Sequence, residues 1–143
     1  MDITKVSLPI FMLSLLTFVS CATSQSVSAD TRTRTFNADY NKTFQAVAQT
    51  LSNEGYTLDF SDPKSGVINT DYQAGSAFKS LLSNNEEISV DAILNKKNNG
   101  TQVKLRIDVE NIGPSTGGKS DDMTKTQVIN YYKNLFMKIE DNL

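Results

Sequence analysis

Ile88-Ser-Val-Asp-Ala-Ile-Leu-Asn-Lys-Lys-Asn-Asn-Gly-Thr-Gln-Val-Lys-Leu-Arg-Ile-Asp-Val-Glu110 is the stretch on which the fold turns. Ile88, Val90, Ala92 and Leu94 fall at every second position, and so do Val103, Leu105, Ile107 and Val109. Successive side chains of a strand point to opposite faces, so each run builds one apolar face. The alternate positions hold Ser89, Asp91 and Ile93 in the first run and Lys104, Arg106, Asp108 and Glu110 in the second. Residues 96–100, Lys-Lys-Asn-Asn-Gly, have the composition of a hairpin turn. The pattern predicts an antiparallel hairpin in a sheet that is covered on one side and wet on the other.

Upstream, the period changes from two to about 3.6. Tyr40, Phe44, Val47, Ala48 and Leu51 form a single stripe at helical spacing, with Asp39 placed as N-cap and Gly55 as stop. A helix over residues 39–54 is expected. Tyr56, Leu58 and Phe60 then alternate, so the three are expected to share one face. Residues 62–66, Asp-Pro-Lys-Ser-Gly, supply turn chemistry, and residues 67–72 return as a second strand. Before the helix, the threonines of residues 31–36 favour a strand, and Arg32 and Arg34 suit the solvated face of a sheet edge.

Between the two hairpins, residues 73–85 fit either a short helix or a flap. Phe78, Leu81 and Leu82 would make one apolar patch if helical, and they are the candidate partner-contact residues. The alternative for them is plugging one end of the core. Downstream, residues 112–122 hold three glycines and a proline and predict a loop. Val128, Tyr132, Leu135, Phe136 and Ile139 predict a closing helix over residues 122–142.

The order strand, helix, hairpin, linker, hairpin, helix predicts an α+β domain. Its antiparallel sheet would have about five strands, with a helix after strand 1 and a C-terminal helix packed on the same face. That is a helix-grip arrangement. The run from Tyr40 to Tyr72, with Phe44, Leu51, Glu54-Gly55-Tyr56, Asp62, Gly66-Val67-Ile68 and Asp71-Tyr72, resembles the helix-hairpin unit of BamC-type lipoproteins. Proteins of that type carry two such domains, and this chain has the length for one. The resemblance implies a non-catalytic accessory of an envelope assembly.

The N-terminus carries a second resemblance. Lys5 precedes an apolar run from Leu8 to Val19, too short to span a bilayer and interrupted by Pro9. Thr17-Phe18-Val19-Ser20-Cys21 resembles the bacterial lipobox, with Phe18 where Leu is usual. It implies a signal peptide over residues 1–20, cleavage before Cys21 and acylation of that thiol. Cys21 is the only cysteine, so it has no intrachain disulfide partner. Stable anchoring takes more than one acyl chain, and the resemblance implies three. Ala22 after the cysteine resembles lipoproteins that reach the outer membrane. Residues 21–30, small and polar, are expected to be a flexible tether to a single domain over residues 31–143.

Chemistry is sparse. There is no histidine, the commonest general base and metal ligand. No zinc, phosphate-loop, calcium-loop or nucleophile-elbow motif occurs. Glu86-Glu87 would point to opposite faces if extended, and Asp121-Asp122 suit a helix start. The reading assigns no catalytic residue, metal or cofactor. A net charge of −2 argues against nucleic acid. An envelope protein partner is expected. The alternative is a carrier of a small apolar ligand or lipid in a groove between the sheet and the last helix, near Tyr131 and Tyr132.

Overall fold

The computed structural model describes residues 27–72, 86–111 and 125–143. Its elements are α1 (Ala29–Arg32), β1 (Thr33–Phe36), α2 (Tyr40–Asn53), β2 (Leu58–Asp62), β3 (Val67–Thr70), β4 (Glu86–Lys97), β5 (Gly100–Asn111) and α3 (Lys125–Asp141). The strands form one antiparallel sheet in the order β1-β5-β4-β3-β2. The protein is therefore α+β, with a five-stranded antiparallel sheet, a helix after the first strand and a helix at the C-terminal end.

β4 and β5 pair without a break from Glu86–Asn111 to Lys97–Gly100. Asn98 and Asn99 alone connect them, a tighter turn than the five residues expected. Ile88, Val90, Ala92 and Leu94 lie buried beside Val103 and Leu105. Lys104 and Arg106 stand exposed on the opposite face. The period-two pattern thus maps onto two faces along most of the hairpin, but Val109 at its far end is exposed and Ser89 on the opposite face is buried.

Both long helices cover the apolar face. Asp39 caps α2: its Oδ1 accepts from the backbone N–H of Asn41 at 2.8 Å and of Lys42 at 3.3 Å. The helix ends in a Schellman turn. The Tyr56 N–H bonds the Leu51 carbonyl, the Gly55 N–H bonds that of Ser52, and Gly55 takes φ 91°. α3 contributes Tyr131, Tyr132, Leu135, Phe136 and Ile139 to the same core. A fully buried Leu or Ile side chain contributes about 1.5–3 kcal/mol, against roughly 0.2–1 kcal/mol for an exposed ion pair such as Arg34–Glu140. Apolar burial, not surface charge, holds α3 down.

Four expectations change. Phe60 does not share a face with Tyr56. The β2–β3 register slips between Leu58 (opposite Thr70) and Phe60 (opposite Asn69), a bulge that turns Phe60 outward until it is 50% exposed. Arg32 is not on the first strand; it ends α1, and β1 begins at Thr33. Arg34 is on β1, yet its guanidinium lies over the rings of Phe36 and Phe136 as well as pairing with Glu140. Val27 is buried against the core and residues 29–32 are helical, so the folded part includes residues that were expected to be tether. Residues 73–85 and the loop at 112–122 lie outside the described residues.

β3 joins β4 through only two backbone register pairs, Val67–Ile93 and Ile68–Ala92. Side chains continue the seam: the Thr70 hydroxyl accepts from the Val90 N–H at 2.9 Å. The turn before β3 is set by Asp62, whose carboxylate accepts from the N–H groups of Lys64 and Ser65 at 2.9 and 3.1 Å. Those bonds hold the Asp62 carboxyl below its ordinary pKa. Gly66 closes the turn at φ 74°, and a Cβ there would collide with the Leu94 carbonyl and the Tyr40 hydroxyl. Gly66→Ala is expected to lower stability by about 2 kcal/mol or more. Urea unfolding monitored by circular dichroism checks it, and a loss no larger than that of Ser65→Ala would contradict it.

Candidate functional site

Among the described residues, the space between the sheet and α3 is filled by side chains. Tyr131 and Tyr132 are 6% and 2% exposed, and Leu135 and Phe136 sit beside them in the core. The two tyrosines work structurally. The Tyr132 hydroxyl accepts the Ile107 backbone N–H at 3.1 Å, on the part of β5 beyond its pairing with β1. An unmet amide at a buried sheet edge is thereby satisfied. The Tyr131 hydroxyl lies 2.8 Å from that of Tyr56, and the two share a hydrogen bond.

A polar cluster extends from that pair. Lys138 of α3 reaches Glu54, the C-cap residue of α2, and the Glu54 side chain is almost wholly buried. A carboxylate at a helix C-terminus is unfavourable by the macrodipole, and the ammonium offsets it. Asn142 donates to the Thr50 hydroxyl at 2.9 Å. These contacts stitch the end of α3 to the end of α2. They are buried or interhelical and present no reacting group to a cleft. Among the described residues, no group of three or more His, Cys, Asp or Glu side chains is placed to hold a metal.

A surface concavity lies at the other end of α2. Residues 37–40 and 96–100 line an open cleft of about 800 Å³ between the β4–β5 connection and the helix start. Tyr40 forms part of its wall, fixed by donating its hydroxyl to the Pro63 carbonyl at 2.9 Å. The Lys96 ammonium lies 5.0 Å from the centre of the Tyr40 ring, a cation–π contact. Lys97 is exposed beside it. The β2–β3 turn flanks the same end, because the Leu94 N–H bonds the Gly66 carbonyl.

The residues singled out from sequence fall elsewhere. Cys21, Phe78, Leu81 and Leu82 lie outside the described residues, as do Asp121 and Asp122. Glu86 and Glu87 sit on β4 opposite Asn111 and Glu110. The cleft was missed. Lys96 and Lys97 look like ordinary turn residues, and no local signal reveals that their hairpin tip reaches the start of α2. Among the described residues no helix is long and apolar enough to cross a membrane. Comparison of the chain with protein-family models and with curated proteins finds no match in either.

The tyrosine pair yields a pH prediction. Burial above all raises Tyr56 from 10.0 to about 12, with the Glu54 charge adding and the Tyr131 hydrogen bond opposing. Burial likewise raises Tyr131. Well below pH 10 both hydroxyls are protonated whether the chain is folded or not, and the contribution to stability is complete. Above it the unfolded chain releases protons that the folded one retains, so stability falls as pH climbs towards about 12. The loss from Tyr56 is on the order of 2 kcal/mol. Urea midpoints measured from pH 8 to 12 should drop over that interval, and the drop should shrink in Tyr56→Phe/Tyr131→Phe.

Proposed function

We propose that this chain is a bacterial envelope lipoprotein, held at the outer membrane by lipid on Cys21 and facing the periplasm. Its body is a single helix-grip, BamC-like domain. It acts as a non-catalytic, protein-binding accessory of an envelope assembly. The anchor rests on the apolar run and the Val19-Ser20-Cys21 pattern.

The filled interior carries the choice of binding mode. A carrier of an apolar ligand needs an enclosed space, and small-molecule sites are concave cavities of roughly 300–1,000 Å³ with most of the ligand buried. Here Leu135 and Ile139 are fully buried between helix and sheet, with Tyr131, Tyr132 and Phe136 beside them. The described concavity is instead open and rimmed by lysines. Such a body works through its surface, which favours a macromolecular partner over a carried ligand.

Cys21→Ser is expected to move the protein from the membrane to the soluble fraction. Retention of this variant on membranes after a high-salt wash would refute the anchor. Purification from detergent-solubilised envelopes is expected to bring down a protein partner in stoichiometric amount. Extracted lipid with no protein would instead support the carrier.

A further inference from the structure

We infer that the cleft between the β4–β5 connection and the start of α2 docks an acidic segment of the protein partner. The inference rests on the accessory reading above and adds where the partner sits and what chemistry it brings.

Four lysines against two carboxylates leave this end net positive. Lys96 and Lys97 line the cleft, Lys42 follows on the first turn of α2, and Lys64 lies in the adjoining β2–β3 turn. All four are exposed. None has an ion-pair partner among the described residues. Two carboxylates are nearby, Asp39 and Asp62, and both are turned to backbone N–H groups. They serve as caps and do not neutralise the ammonium groups by contact. The whole chain carries a net charge of −2, so this positive end is local and not a general property of the surface.

The same geometry selects among anions. A phosphate group favours free N–H groups at a helix N-terminus or a convergent arginine fork. Here the Asp39 carboxylate already occupies the N–H groups of Asn41 and Lys42, so they are not free to cradle a phosphate. Among the described residues no arginine lines the cleft. Lysines spaced around a rim suit carboxylates spaced along a peptide. Asn37, Asn98 and Asn99 offer amide donors and acceptors to a peptide backbone, and Tyr40 supplies an apolar wall.

The direction of the chain agrees. β1 runs from Thr33, opposite Lys104, to Phe36, opposite Thr101, and so heads towards the β4–β5 connection. The chain enters the fold from the other end. A body anchored through its N-terminal side would present the cleft away from that attachment, where a partner rather than the bilayer meets it.

The test uses the full-length, detergent-solubilised chain, isotope-labelled for NMR and titrated with a poly-L-glutamate 20-mer. Amide shifts are expected at residues 37–42 and 96–100. Lys96→Glu/Lys97→Glu should weaken the titration about tenfold, while Lys104→Glu on the open sheet face should not change it. Shifts centred on Lys104 and Arg106, or equal losses in the two variants, would overturn the inference. So would displacement of the peptide by phosphatidylglycerol vesicles but not by phosphatidylcholine ones, which would assign the cleft to a membrane. The partner itself separates the two readings. If it co-purifies with Lys96→Glu/Lys97→Glu as well as with the unaltered chain, the cleft is not its dock and the accessory function stands. If no partner accompanies either form, both readings fall.

Discussion

The register of β4 against β5 is the constraint on which the molecule depends. Twelve-residue strands meet without interruption. A slip of one residue would turn Ile88, Val90, Ala92 and Leu94 to water and bring Asp91 and Asn95 into the core. Every other element is placed by that face. β1 lines up on one edge and β3 on the other, and α2 and α3 bury their stripes against the apolar side. The polar contacts between the helices then determine how α3 lies. Tyr131 meets Tyr56, Lys138 meets Glu54 and Asn142 meets Thr50, so α3 is tied to α2 and the segment just after it at three points.

Much of this was legible in the chain because the signals are periodic and local. The stripe from Tyr40 to Leu51 and the alternation around residues 88–109 each identify an element and the face it buries. Asp39 and Gly55 mark the ends of α2 through backbone chemistry that needs no tertiary context. Phe60 was misplaced because a bulge is a property of two paired strands, and alternation within one strand carries no trace of it. Arg32 was misplaced for a related reason. Thr31 to Phe36 has strand propensity throughout, but α1 packs on α3 and β5 and takes the first two of those residues.

The candidate site was less visible than the fold. Lys96 and Lys97 acquire meaning only when the hairpin tip is brought beside Tyr40, more than fifty residues earlier in the chain. Sequence composition also counts every charge equally. In the structure Asp39 and Asp62 are directed at backbone amides, while the lysines around them have no ion-pair contact among the described residues. A chain with a small negative net charge can therefore carry a locally positive end. Tyr131, which the sequence places near a candidate groove, instead shares a hydrogen bond with the Tyr56 hydroxyl inside the core.

The irregularity at Leu58–Phe60 has a consequence for how copies of this protein meet one another. β2 is a terminal strand of the sheet, and a flat terminal strand invites a neighbouring molecule to extend the ladder. Here the extra residue, Asp59, breaks the spacing of the outer amides and adds a carboxylate to that border. That border of the sheet is therefore a poor template for extension by a second copy.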